Sequence, residues 1–278
     1  MKNLFDRISA RSSKMVTRTY STSFSLGIYF LNGKFHEPIY GIYGFVRLAD
    51  EIVDSFHDFN KAELLKRFRA DTQLAIDERI SLNPILNSFQ KSVHQYKIGQ
   101  ELIDTFLQSM EMDLTQSFHD KKSFDNYILG SAEVVGLMCL RVFTEGNNEM
   151  YEKLKPAAMY LGAAFQKVNF LRDLKQDYNH LGRTYFPGID LDNFDYAQKI
   201  KIESDIESDF TLALNGIRNL PKGARLGVYV AFVYYKALFA KIKALPAERV
   251  MRERIRVPNN QKFRLLINSV IRHQLNLL

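Results

Sequence analysis

Apolar residues recur three and four positions apart along almost the whole chain, the spacing that gathers them on one face of an α-helix. Runs that alternate strictly between apolar and polar, as a half-buried strand requires, are scarce. The periodicity predicts helices over residues 37–56, 61–79, 99–117, 123–145, 151–178, 203–218 and 222–243, with a shorter one near 260–275 and another over 3–19. Irregular chain is expected over 20–36, 180–195 and 244–259; the second, HLGRTYFPGIDLDNFD, carries the Gly, Pro, Asp and Asn that interrupt helices. Only seven prolines and fourteen glycines occur, none clustered into a linker. The expectation is therefore one all-α domain over residues 1–278, a bundle of long helices around a central cavity.

The formal charge is +7, which favours anionic partners: phosphorylated small molecules, an anionic membrane surface or nucleic acid. The cations thicken at Arg249, Arg252, Arg254 and Arg256, a stretch that suits closing over phosphates, facing acidic lipid, or simply standing in water. The single cysteine, Cys139, lies in an apolar run and reads as a buried thiol in a cytosolic protein. The first fourteen residues, MKNLFDRISARSSK, mix charge throughout and lack a signal-peptide core. No window holds 18 uninterrupted apolar residues, so no membrane-spanning helix is expected. The six histidines show no paired ligand spacing, and neither a glycine-rich dinucleotide motif nor a phosphate loop is present.

Two predicted helices carry chemistry. From Tyr43, steps of four, three and four reach Arg47, Asp50 and Asp54, so one stripe presents a phenol, a guanidinium and two carboxylates. Phe45, Val46, Leu48, Ile52 and Val53 between them bury the rest of that helix. From Gly162, steps of four, three, four and four reach Gln166, Asn169, Asp173 and Asp177, with Arg172 alongside. Carboxylates on largely buried helices are costly without a cation. With no His or Cys nearby, the donor set suits Mg²⁺, which takes oxygen ligands and is held by one or two carboxylates together with substrate phosphate. Arg47, Arg172 and Arg183 are positioned in sequence to grip the same diphosphate, Arg47 serving phosphate rather than pairing permanently with an aspartate. A lone carboxylate pair would be an ordinary surface feature; two such stripes in apolar helices are a stronger signal.

At these residues the chain resembles the squalene/phytoene synthase family. YSTSFSLGIYFL, IYGIYGFVRLADEIVD, YILGSAEVVGLM and LGAAFQKVNFLRDLKQDYNHLGRTYFP occur in the family's order and spacing, and the likeness covers roughly residues 15–275, with bacterial phytoene synthases the most similar. The resemblance implies the all-α isoprenoid-synthase fold and head-to-head condensation of two geranylgeranyl diphosphates, with two or three Mg²⁺ ions, through a cyclopropyl diphosphate to phytoene. It implies metal ligands at Asp50, Asp54, Asn169, Asp173 and Asp177, with Glu51 inside the first motif. It places diphosphate or active-site contacts at Ser21, Ser23, Phe24, Tyr43, Arg47, Gln166, Arg172, Arg183 and Tyr185. The chain departs from the family pattern at Thr22, where many relatives have a basic residue, and at Glu133, where a small residue is usual. SMEMDL stands at residues 109–114 in place of a G-M-x-x-D-L motif, and the 177–183 loop is one residue longer.

A carbocation must be kept from water. Phe24, Tyr43, Tyr127, Val135, Leu137, Phe165 and Tyr234 are candidate walls, and Gly130, Ala132, Gly136 and Gly162 could leave room for a prenyl chain. Arg254 is the favoured phosphate contact in the basic stretch. Phytoene formation needs no NADPH. The rival readings are a squalene or dehydrosqualene synthase using farnesyl diphosphate and, from another class, a basic helical scaffold for lipid or nucleic acid. The latter accounts for the charge but not for two acidic stripes. A monomer or weak homodimer that binds no nucleic acid is expected, in the cytoplasm and peripheral on the inner membrane.

Overall fold

Each long periodic run folds into a helix, and no strand occurs among the described residues. The structure, a computed structural model, describes residues 1–115, 120–176, 185–189, 191, 193–252 and 254–275, with backbone alone at 175, 176 and 259. The helices are α1 (Lys2–Tyr20), α2 (Thr22–Tyr29), α3 (His36–Asp54), α4 (Lys61–Glu78), α5 (Pro84–Tyr96), α6 (Gln100–Thr115) and α7 (Lys121–Ile128). They continue with α8 (Val134–Phe143), α9 (Asn148–Gln176), α10 (Tyr196–Asn219), α11 (Lys222–Lys243), α12 (Ala247–Val250) and α13 (Asn259–Gln274).

Side-chain caps set the starts. Asn60 accepts from the Glu63 N–H, Asp120 from Ser123, and Asp195 forms a reciprocal capping box with Gln198. That box starts α10 seven residues before the periodicity becomes legible. Arg79 and Lys97 take left-handed conformations, φ 60° and 53°, that end α4 and α5.

Three segments differ from expectation. α2 forms within a stretch expected to be irregular: Ser21 accepts from the Phe24 N–H, and the turn that follows is apolar on nearly every side. α5 was not anticipated: it buries Leu86, Phe89 and Val93 in the core, but Asn87, Ser88, Gln90 and Ser92, all buried as well, interleave with them in sequence. Asn87 donates to Asp6 at 3.1 Å and Ser9 at 3.0 Å of α1, so a polar seam replaces an apolar one. The expected helix over 123–145 is interrupted by a π-helical segment, Leu129–Glu133, between α7 and α8. A π segment inserts one residue and turns the following face, a device frequent at functional sites.

Two apolar clusters form the interior. One centres on Phe45, which stacks on Phe89 with ring centroids 4.0 Å apart. The other centres on Phe210 and Phe239. Each fully buried phenylalanine contributes about 1.5–3 kcal/mol. Lys121–Phe143 is long and apolar enough to cross a membrane by composition alone, but half of that run is buried inside the fold, where it packs on α6 and α9. Residues of both clusters line a common cavity.

Candidate active site

The cavity measures about 390 Å³ and is mostly apolar. Its charged and amide groups come from the two predicted stripes. On α3 the lining runs from Ile39 and Ile42 to Tyr43, Arg47 and Asp50; on α9 it runs from Leu154 through Leu161 and Phe165 to Gln166 and Asn169. Phe24 of α2 lies between them, its ring 5.9 Å from Tyr43 and 6.2 Å from Phe165. The polar ends of the two helices thus converge around one aromatic side chain.

The carboxylates at that end are held by guanidinium groups. Arg47 donates to Asp50 at 2.5 Å and also to Glu51, and lies 4.2 Å over the ring of Tyr20. It bridges two acids of its own helix, the nearest partners for a half-buried charge at i,i+3 and i,i+4 spacing. Its Nε–H is buried and has no acceptor. Burial works against the Arg47 charge, but Asp50 and Glu51 outweigh it and hold the pKa above the ordinary arginine value. Burial likewise opposes the Glu51 charge, and hydrogen bonds from Ser55, Arg47 and Tyr20 more than offset it, holding its pKa low. On α9, Arg172 donates to Asp173 at 2.5 Å, and Arg254 lies 2.8 Å from the same carboxylate. The basic stretch therefore reaches the second acidic helix.

Burial pushes the Tyr43 phenol up to about 12, with Arg47 and Ser21 pulling the other way, so it remains protonated in neutral solution. Tyr235 of α11 was missed by sequence reasoning. Its ring stacks on Phe165 at 3.9 Å, and its hydroxyl donates to Asn169 Oδ1 at 3.3 Å. Tyr234, expected on the wall, instead turns to α13 and donates to the Lys262 carbonyl at 2.9 Å. Neighbouring helical residues point about 100° apart, and the α11 face that enters the cavity is Gly227, Val228, Ala231 and Tyr235.

The other expected residues divide similarly. Tyr127 lines the cavity and donates to Asp113 at 2.8 Å. Val135 also lines it, whereas Leu137 is buried in the core away from it. Ser21 caps α2, and Ser23 sits half-buried on that helix's first turn. Tyr185 stacks on Phe170 at 3.9 Å, behind Tyr127. Asp54 is half-buried one turn beyond Asp50. Asp177 and Arg183 lie outside the described residues. Cys139 is half-buried on the cavity wall, where removal from water pushes its thiol up to about 12.

Of the glycines expected to open space, Gly136 and Gly162 line the cavity and Gly130 does not; Gly130 and Gly162 are also sites of close packing. A Cβ on Gly130 would lie 2.6 Å from Ser109 Cβ, and one on Gly162 would lie 2.6 Å from the Ala132 carbonyl oxygen. Glu133, at the end of the π segment, is half-buried, and burial raises its pKa to about 7, with Lys167 lowering it and Asp209 raising it. Lys167 itself bridges Asp205 at 2.6 Å and Asp209 at 2.8 Å.

The donor set at the polar end fits a hard divalent cation. Asp50 and Asp173 already hold cationic groups, and the remaining donors are oxygens. Among the described residues no three acids, histidines or cysteines form a closed cage. Mg²⁺ does not need one, because phosphate and water complete its shell.

Comparison with known proteins agrees with this geometry. The family model described as squalene/phytoene synthase matches residues 17–261. A 4,4'-diapophytoene synthase from Staphylococcus haemolyticus is 23% identical, covering 91% of this chain and 93% of its own. A 15-cis-phytoene synthase from Synechocystis is 27% identical over 94% and 84%, and a presqualene diphosphate synthase from Zymomonas mobilis is 28% identical over 86% of each. Among solved structures, a dehydrosqualene synthase in complex with ligand superposes with a TM-score of 0.82 at 18% identity, over 97% of this chain and 98% of that one. That likeness establishes the isoprenoid-synthase-type fold. Family model and fold together place the chain in the squalene/phytoene synthase family, enzymes that condense prenyl diphosphates.

Proposed function

We propose that this protein condenses two geranylgeranyl diphosphates head to head to phytoene. The observation that carries the reading is the meeting of Asn169 and arginine-held Asp50 at one end of a largely apolar cavity, with arginine-held Asp173 one turn beyond Asn169.

Breaking the allylic C–O bond of the first substrate sends its electron pair to diphosphate and leaves a carbocation. The second substrate's double bond attacks that cation, and loss of a proton closes a cyclopropyl diphosphate. Release of the second diphosphate gives a rearranged cation, and loss of a second proton yields the triene. The balance is one C40 hydrocarbon, two diphosphates and two protons, with no reductant consumed and hence no role for NADPH. Arg47, Arg172 and Arg254 neutralise charge on the leaving group, and the unsatisfied Arg47 Nε–H offers it a donor. Asp50, Asp54, Asn169 and Asp173, with Asp177 beyond the described residues, would hold two or three Mg²⁺ ions, which act as Lewis acids on diphosphate oxygens. Phe24, Phe165 and Tyr235 form an aromatic wall that excludes water and faces the cation.

Cavity length supports the C20 substrate. The α9 lining extends from Leu154 to Asn169, about 22 Å at the helical rise. An extended prenyl chain advances roughly 5 Å per five-carbon unit, given four backbone bonds in each. Four units come to about 20 Å, close to that span, which supports the longer chain. The hydrocarbon product belongs in lipid, which puts the enzyme's working place in the cytoplasm at the inner membrane.

The test is to incubate purified protein with Mg²⁺ and either geranylgeranyl or farnesyl diphosphate, with and without NADPH, and to identify the hydrocarbon. Phytoene from the C20 substrate is expected, lost with EDTA and in Asp50→Asn and Asp173→Asn. A C30 product alone would move the assignment to a dehydrosqualene or squalene synthase, and full activity in both variants would end the synthase reading.

A further inference from the structure

The two terminal helices are turned inside out. α1 buries Ser9, Ser13 and Thr17 completely, while Leu4, Ile8 and Met15, on the opposite face, are 54%, 48% and 64% exposed. α13 packs on α11 through the side that holds Leu265 and buried Ser269. Its outer side carries Phe263, Ile267, Ile271 and, at its end, Leu275, each four residues from the next and 46–63% exposed. A surface helix ordinarily turns its apolar stripe to the core; here both stripes face outward.

Both helices are also basic. α1 holds Lys2, Arg7, Arg11, Lys14 and Arg18 against Asp6, and α13 holds Lys262, Arg264 and Arg272 with no acid. Their combined excess equals the net charge of the entire chain, so the rest of the protein is neutral overall. Both helices reach the rim of the site: Lys262 Nζ of α13 donates at 3.3 Å to Thr22 Oγ1, the first residue of α2, and α1 ends two residues earlier at Tyr20, whose ring lies against Arg47.

We infer that the outer faces of α1 and α13 form one membrane-binding surface, seated on an anionic bilayer at the lip of the active site. The apolar side chains enter the acyl boundary while Lys and Arg meet the lipid headgroups. Charge complementarity favours a bilayer over a second copy of the chain, since a self-interface would bring two strongly basic faces together. The surface is independent of prenyl chain length, and it offers a greasy substrate and product a path that avoids water.

Sedimentation of the full-length protein with vesicles tests this, using phosphatidylcholine alone or an equal mixture with phosphatidylglycerol. Wild type should bind the anionic vesicles and be released by salt. Phe263→Ser/Ile267→Ser/Ile271→Ser and Leu4→Ser/Ile8→Ser/Met15→Ser should each weaken partitioning about tenfold or more. Arg264→Glu/Arg272→Glu should weaken it by roughly fivefold or more per reversed charge. These positions are exposed, so melting temperature and turnover of detergent-dispersed substrate should not change. Failure of wild type to bind either vesicle, or wild-type binding by the variants, would overturn the inference. Wild-type dimers in sedimentation velocity that the serine variants dissolve would assign the faces to a second copy and overturn it as well.

Discussion

Gly162→Ala isolates the contact between α9 and the π segment. The added Cβ would lie 2.6 Å from the Ala132 carbonyl oxygen and 3.1 Å from Glu133 Cα. Both are backbone atoms, so no side chain can rotate away, and either α9 or the π segment must shift. Overpacking of this kind costs about 1–3 kcal/mol. Replacing glycine in a helix interior returns about 0.5–1 kcal/mol, so the net loss is about 0–2.5 kcal/mol, centred near 1 kcal/mol. At this chain length the melting temperature falls by about 2 °C per kcal/mol, giving a drop of up to about 5 °C, centred near 2 °C. Gly33→Ala is the matched control, since a Cβ there meets nothing within 4 Å; it should be neutral or slightly stabilising. Calorimetric melts read both, and hydrocarbon formation should fall with Gly162→Ala, because Ser131 and Ala132 line the cavity. A Gly162→Ala protein that melts above wild type would refute the account of this contact.

Two further outcomes follow from the geometry. Burial raises Glu133 to about 7 against an ordinary 4.5, so the folded state keeps a proton that the unfolded chain releases, and stability falls as pH rises through that window. The melting temperature of Glu133→Gln minus that of wild type should therefore grow between about pH 5 and pH 8; a constant difference by scanning fluorimetry would contradict it. Tyr235→Phe removes the bond to Asn169 and should cut turnover roughly 10–100-fold, whereas Tyr234→Phe should cost only about 0.5–1.5 kcal/mol of stability and leave turnover intact. Equal kinetic effects from the two would mean that the wrong tyrosine has been placed on the wall.

Helix type was legible where apolar residues dominate the inward face and harder to read where buried polar residues interleave with them. α5 was missed although Leu86, Phe89 and Val93 form a buried apolar stripe, because the buried Asn87, Ser88, Gln90 and Ser92 facing α1 interleave with it in sequence and break up the apolar run. α1 turns its buried Ser9, Ser13 and Thr17 inward and its apolar residues outward, an orientation that helical periodicity alone does not record. α2 escaped for the opposite reason: it is apolar nearly all round, so no face stands out.

What the sequence by itself determined is what lies within one helix. Intervals of three and four placed Tyr43, Arg47, Asp50 and Asp54 on one stripe and Gln166, Asn169 and Asp173 on another, because the helical repeat depends only on the local backbone. What only the tertiary structure decided is how stripes from distant segments meet. It brought Arg254 to Asp173, chose Tyr235 over Tyr234, seated the π segment against Gly162 and turned α1 and α13 outward. Each of these depends on which side chains fit between helices far apart in the chain. Close packing settles that jointly for all of them, and no local periodicity records it.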